Sequence, residues 1–413
     1  MSASAKNSRR ISETDLSEAM LILNRLPDHR RPLEPADAEA LGERAAADVA
    51  RFLDSRPEHR PTPLLALPAL ARELGLGEIH LKDESQRLGL CSFKALGGAY
   101  AVVRLALEEV GRRLDRPVDV AQWKSEAVRK IASGMTFCCA TDGNHGRSVA
   151  QGAALIGAKA AIFVHAGVSA ERAATIAALG AEVIRARGGY DDAVAESARA
   201  AERSSWTLVS DTSWEGYERP PFLVMQGYTT IVAEALSALA RPPTHVFIQA
   251  GVGGFAAAVA AHFALVLGPA RPAFVVVEPT TCASFARSAR LGRSVDAEPG
   301  PPTVMAMLEC RRNSLIAWRV LSRVADAFLT VEDEDAIAAM NRLARPLGDD
   351  PAIVAGESGA AGFAGMTRAA LDPDSRAALG LESASRALIV NSEGATDRAR
   401  YRSLVGAAPE DRR

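Results

Sequence analysis

A few short stretches of this chain carry side chains that could do chemistry. Lys94 stands between Phe93 and Ala95-Leu96, at the start of an apolar run and just after the charged string Lys82-Asp83-Glu84-Ser85. Local sequence alone favours a surface lysine whose stem lies along apolar neighbours. The other reading is a desolvated amine: burial disfavours the ammonium form, lowers the pKa and makes the nitrogen a nucleophile toward an aldehyde. Asn144 lies in Ala140-Thr141-Asp142-Gly143-Asn144-His145-Gly146-Arg147. There two glycines let the backbone approach a flat ligand, and Asn144 could hydrogen-bond a ring hydroxyl. An ordinary strand-to-helix turn has the same composition.

Gly251-Val252-Gly253-Gly254 follows the apolar run His245–Gln249 and precedes an alanine-rich helix from Phe255. Backbone amides at a helix N-terminus bind phosphate without a basic side chain. The same loop also satisfies G-x-G-x-x-A, and Glu278 ends the next strand 24 residues after Gly254. That spacing suits a dinucleotide and its ribose-binding acid, so the loop alone leaves both ligands open. Asp211-Thr212-Ser213 makes a good turn or helix cap, and its carboxylate could equally abstract a proton if a closed site raised its pKa. Ser392, in Asn391-Ser392-Glu393-Gly394, lies in a small-residue turn after a strand.

The elements that must position these residues alternate. Strands are predicted at Ile79–Leu81, Thr136–Ala140, Ala160–Val164, Glu182–Ala186, Thr207–Ser210, His245–Gln249, Ala273–Glu278, Ala327–Thr330 and Ala387–Val390, with helices between most of them. Such alternation predicts an α/β fold with largely parallel sheets. Nine strands are many for one sheet, so two lobes with a sheet each are expected. Residues 1 to about 43 read as an N-terminal arm with weak structure, broken by Pro32 and Pro35. Of the 413 residues, 48% are hydrophobic, enough for a sizeable core. The formal net charge of -2 implies no nucleic-acid-binding surface. The longest apolar runs are too short for a membrane span, and Met1 to Arg10 lacks the apolar core of a secretory signal, so a cytoplasmic location is expected. Five cysteines without a C-x-x-C pair suit a reduced compartment, and the seven histidines show no metal spacing.

Ser92-Phe93-Lys94-Ala95-Leu96-Gly97-Gly98 resembles the lysine motif of the fold-type-II pyridoxal-phosphate enzymes, the group containing threonine dehydratase, threonine synthase and tryptophan synthase β. The resemblance runs from about Arg60 to Asp397. It implies two lobes: 44–96 with 212–413 as the large cofactor-binding domain and 97–211 as the small one. It also implies that Lys94, flanked by Phe93, holds pyridoxal 5'-phosphate as a Schiff base. Asn144 would then contact the 3' oxygen, Gly251, Val252, Gly253 and Gly254 the phosphate, and Ser392 the pyridine nitrogen, with Glu357 of Gly356-Glu357-Ser358-Gly359 near the ring. A neutral hydroxyl at the ring nitrogen favours β-elimination over reactions that need the full electron sink.

Two strings narrow the family. Ala140-Thr141-Asp142-Gly143-Asn144-His145-Gly146-Arg147 and Asp211-Thr212-Ser213-Trp214-Glu215-Gly216-Tyr217 are similar to those of the 2,3-diaminopropionate ammonia-lyases. The resemblance implies that Asp142 removes the α-proton of the D-isomer and Asp211 that of the L-isomer. A homodimer acting on a small amino acid, with pyruvate and ammonia as products, is the expectation. The pattern departs at Met305-Ala306-Met307-Leu308-Glu309-Cys310-Arg311, where the family has Met-Ala-Gly-Leu-Ala-Cys-Gly. If the segment faces the substrate, added bulk and charge there would suit a different β-substituted substrate, such as the 3-hydroxy amino acid of a dehydratase; the alternative is that these side chains point away. A nicotinamide oxidoreductase remains the alternative on the glycine loop, and a catalytically dead relative is the third. Neither gives the lysine and both aspartates a role.

Overall fold

The structure is a computed structural model that describes residues 20–412, Asp142 excepted. Among the described residues there are eleven strands: Leu21–Leu23 (β1), Leu64–Ala66 (β2), Glu78–Asp83 (β3), Thr136–Ala140 (β4), Lys159–Val164 (β5), Glu182–Arg185 (β6), Thr207–Leu208 (β7), His245–Gln249 (β8), Ala273–Pro279 (β9), Ala327–Val331 (β10) and Arg386–Asn391 (β11). They form two sheets. The larger has the order β1-β10-β9-β8-β11-β3-β2, and the smaller β6-β5-β4-β7. The small sheet is parallel throughout. The large one is parallel from β10 to β3 and antiparallel only at its edges, β1 and β2. Helices cover the sheets, so central strands such as β8 are buried along their whole length and carry apolar runs rather than alternation.

Nine of these strands fall where the sequence predicts them. β7 is shorter than its apolar pattern. The Val209 amide still donates to the Cys138 carbonyl of β4, and the chain then leaves the ladder, because the Ser210 amide donates to the Tyr217 hydroxyl rather than to a neighbouring strand. The arm departs further from expectation. Within its described part, Leu21–Leu23 pairs with the free edge of β10, and Pro35–Leu41 forms a helix whose buried Asp37 meets Arg319 at 2.7 Å. Its order comes from partners some 300 positions away in sequence, which local pattern does not report. Residues 1–19 lie outside the described residues.

One helix joins the two sheets. Lys94–Leu114 packs on Asn144–Ile156 on one side and on Arg219–Ala238 on the other. The second contact is close because of Gly227, where an added Cβ would lie 2.4 Å from the Leu96 carbonyl oxygen. The loop that leads into Lys94 is anchored by buried ions. Arg87 Nε is 2.7 Å from Glu84 Oε2, Arg87 Nη2 is 2.7 Å from Glu234 Oε2, and Lys82 Nζ is 2.5 Å from the same Glu234 oxygen. The carboxylates hold the Arg87 guanidinium pKa well above its ordinary value despite burial. Breaking a buried pair by removing one partner strands the other charge, at a cost of about 3–5 kcal/mol. Arg87→Met should therefore lower the urea-unfolding free energy by about that amount. A loss under about 1 kcal/mol would show that the network contributes nothing to holding this loop.

Candidate active site

The candidate catalytic groups meet where strands from both sheets end. Lys94 follows the loop after β3, Ser392 follows β11, the glycine loop follows β8, Asn144 follows β4, and Asp211 follows β7. All are carboxyl ends of parallel strands, the edge where open α/β sheets bind ligands. β3 and β11 are neighbours, and their extensions stay paired: the Phe93 amide donates to the Ser392 carbonyl at 2.9 Å, and the Gly394 amide to that of Cys91 at 3.0 Å. That pairing sets Lys94 beside Ser392.

Lys94 Nζ donates to Asp211 Oδ2 at 2.5 Å, and both side chains are largely buried. Burial pushes the lysine pKa down, but Asp211 outweighs it and holds the amine charged well above its ordinary range. Burial likewise pushes Asp211 up, and the Lys94 cation outweighs it and holds the carboxyl well below the usual carboxylate range. Asp211 is fixed by its loop. The Tyr217 hydroxyl accepts from the Ser210 amide at 3.0 Å and donates to the Leu208 carbonyl at 2.8 Å, while Ser213 bonds Ser314 at 2.7 Å. The floor is aromatic, with the Phe93 ring 4.0 Å from Phe255 and 4.8 Å from Tyr228, centroid to centroid.

The glycine loop leads into the helix Gly254–Leu267, whose N-terminus no side chain caps. Its first amides are left for an anion. Gly253 has φ +91°, and a Cβ there would lie 2.2 Å from the Phe285 ring. Gln249 Nε2 donates to Ser392 Oγ at 2.8 Å and is otherwise surrounded by the carbonyls of Ser358, Gly359 and Val390. The Ser392 oxygen thus accepts, and its own proton is free to be donated.

Asn144 Nδ2 donates to Glu393 Oε2 at 2.5 Å. Burial, helped by nearby Glu357, pushes the Glu393 carboxyl up to about 7. Glu357 itself does not line the cleft; its Oε1 is 2.6 Å from Arg400 Nε, while the adjacent Ser358 and the unforeseen Glu393 do line it. Asp142 lies outside the described residues. The Met307–Arg311 segment is now divided. Met307 lines the cleft, but Glu309 Oε2 accepts from the Thr303 amide at 3.4 Å, and the Arg311 guanidinium donates to the carbonyls of Glu298 and Gly300. Met307 thus stays at the cleft, and the two charges are spent elsewhere. His145, Tyr228, Gln249 and Glu393 all line the cleft without having been singled out from sequence. Their signal was a polar residue amid glycine or apolar neighbours.

A family model described as "Pyridoxal-phosphate dependent enzyme" matches residues 56–392. The chain belongs to this family. It is 37% identical over 354 residues to the diaminopropionate ammonia-lyase of Escherichia coli strain K12, covering 84% of this chain and 87% of that one. The Salmonella typhimurium enzyme of the same name is 35% identical over 372 residues, covering 87% and 91%. The solved structure of Escherichia coli diaminopropionate ammonia lyase in complex with an aminoacrylate-PLP azomethine reaction intermediate superposes with a TM-score of 0.84 at 34% identity, covering 93% of this chain and 96% of that one.

The chain has groups that could hold the family's pyridoxal phosphate: an uncapped helix start for a phosphate, a buried amine for an aldehyde and a hydroxyl proton for a ring nitrogen. The dinucleotide reading fails at Glu278. That side chain is fully buried, its two oxygens accept from the Phe285 and Ala286 amides at 2.9 and 2.8 Å, and burial pushes it up to about 8. It caps a helix and cannot reach a ribose.

Without cofactor, the Lys94–Asp211 pair is a stability element. Asp211 is depressed in the folded state, so its contribution is present above the unfolded carboxylate pKa of about 4 and is lost as pH falls through its own lower value. In cofactor-free protein at pH 7, Asp211→Asn should cost about 3–5 kcal/mol, because Lys94 is left a buried unpaired cation. The difference from the parent should persist down to about pH 4 and shrink only below it. Urea unfolding across a pH series measures this, and a constant difference down to pH ~2 would contradict the assignment.

Proposed function

We propose that the chain is an ammonia-lyase that takes 2,3-diaminopropionate, in either hand, to pyruvate and two molecules of ammonia with uptake of one water. The observation that carries this is Lys94 Nζ held 2.5 Å from Asp211 Oδ2 in a buried cleft, in a chain that aligns with diaminopropionate ammonia-lyases over most of its length. Bound pyridoxal phosphate supplies a conjugated sink for the electron pair left when the Cα–H bond breaks.

The chain supplies the rest. Lys94 holds the aldehyde carbon through Nζ until a substrate amine takes its place. Amides of Gly251, Val252, Gly253 and Gly254 hold the phosphate. Phe93 and Phe255 form apolar support beneath. Asn144, steadied by Glu393, contacts the 3' oxygen. Ser392, which accepts from Gln249, donates its proton to the ring nitrogen and leaves it otherwise unprotonated. That arrangement suits elimination and disfavours transamination.

Asp211 removes the α-proton of the L-isomer and Asp142 that of the D-isomer. The ion pair with Lys94 keeps Asp211 a weak base while the lysine is an ammonium. When a substrate amine displaces it, Lys94 is released as a neutral amine, that charge is gone, and burial, the largest influence on this carboxyl, makes it more basic. The enzyme is proposed to be a cytoplasmic homodimer, with 97–211 as the smaller lobe and 44–96 with 212–413 as the larger. Sedimentation should give twice the 43.5 kDa chain mass, with the activity in the cytosolic fraction; a monomer or membrane-bound activity would discard this part.

A second reading, a dehydratase of a 3-hydroxy amino acid, is favoured only by Met307 in the cleft. Pyruvate assays with D- and L-diaminopropionate, serine and threonine separate the two. Both diaminopropionate isomers should give pyruvate. Asp211→Asn should cut turnover of the L-isomer by about 10²–10⁴-fold, and Asp142→Asn should do the same for the D-isomer. No pyruvate from either isomer, with serine or threonine consumed, would leave a dehydratase and point to Met307.

A further inference from the structure

His145 is a buried titratable group in the cleft to which the chemistry above gives no role. It is 3% exposed, and its Nε2 lies 2.7 Å from the Val209 carbonyl oxygen. A carbonyl only accepts, so a neutral imidazole here carries its proton on Nε2 and a lone pair on Nδ1. That Nδ1 is buried, has no hydrogen-bond partner and lies 4.0 Å from Asp211 Oδ2, the oxygen that also holds Lys94. Burial first, and then the Lys94 cation, push the imidazole pKa below its ordinary value against the pull of Asp211. The ring is therefore neutral at pH 7.

A lone pair facing an ionised carboxylate gains nothing, because both are acceptors. The relation reverses when Asp211 takes up a proton: its O–H can then close onto Nδ1. The contact thus favours one protonation state of Asp211 and raises that group's proton affinity. It strengthens as the substrate proton is transferred, which is when an interaction accelerates a step.

We propose that His145 is a positioning residue for proton abstraction, its Nδ1 accepting the hydrogen bond of the proton that Asp211 takes from the substrate. The inference rests on Asp211 being the base for the L-isomer. In the step, the Cα–H bond breaks and its proton goes to Asp211 Oδ2. Its electron pair stays on carbon, delocalised into the cofactor, and then forms the Cα–Cβ double bond as the β-amino group, carried as an ammonium, leaves with its own bonding pair as ammonia. The imidazole proton stays on Nε2 throughout. The other titratable groups facing Asp211 are Lys94, Tyr217, Tyr228 and Cys139. Burial raises both phenols and the thiol, so they stay neutral over the working range.

The test uses the two substrate isomers as each other's control. With the holoenzyme, His145→Leu should lower kcat for L-diaminopropionate about tenfold, the scale of one buried hydrogen bond. KM should change little, and the D-isomer should keep most of its turnover. The acidic limb of the L-isomer pH profile should move to lower pH, since the protonated carboxyl has lost its acceptor. Equal losses on both isomers would make His145 a structural prop and overturn the proposal, as would an unmoved acidic limb. A second measurement needs no activity and no variant that must fold. In cofactor-free enzyme at pH 7, the ¹⁵N shifts of His145 should show a protonated Nε2 and a bare Nδ1, whereas a doubly protonated ring would overturn the proposal. If Asp211→Asn fails to separate the isomers, the assignment of the base has failed, an outcome distinct from failure of His145.

Discussion

The contact between Lys94 Nζ and Asp211 Oδ2 is the constraint on which the site depends. Burial, the largest influence on both, disfavours the charge of each group taken alone. Together they stay ionised. The two come from different sheets: Lys94 begins the helix after β3, and Asp211 follows β7. Holding them at 2.5 Å therefore fixes one sheet relative to the other at the cleft. Much of the surrounding structure serves that distance. The Arg87–Glu84–Glu234 network anchors the loop before Lys94, and the Tyr217 hydroxyl and Ser314 pin the loop that carries Asp211.

The rest of the site would hold its cofactor with neutral groups. The glycine loop offers amides instead of a basic side chain. At the opposite end Ser392 presents a hydroxyl whose direction is set by Gln249, itself fixed by three carbonyls. Neither end adds a full charge near Lys94 and Asp211. The ion pair can then respond to a single event, loss of the charge on the lysine nitrogen. A cationic phosphate ligand or an aspartate at the ring nitrogen would add a second charge to that balance.

Much of this was legible in the sequence because it rests on local patterns. Strands such as β8 and β9 are buried on both faces and read as apolar runs. The glycine loop, the Ser-Phe-Lys string and the two aspartate strings are contiguous. What escaped depends on distant partners. β1 is a strand because β10 offers it an edge, and β7 stops early because Tyr217 takes the Ser210 amide. Glu357 was named from its motif, yet Arg400 draws its carboxylate aside. Glu309 and Arg311 stand beside Met307 in sequence, but backbone groups at Glu298, Gly300 and Thr303 occupy them.

Glu278 and Glu393 show why the same residue type reads differently once folded. Both are buried carboxyls at strand ends, and burial raises both. Glu278 spends its two oxygens on the backbone amides of one helix, which closes it to any ligand. Glu393 gives one oxygen to Asn144 inside the cleft, which brings it into the cofactor's surroundings. Spacing from the glycine loop pointed to the first, and no motif pointed to the second. What separates them is which donors lie within about 3 Å, the reach of a hydrogen bond, and only the fold decides that.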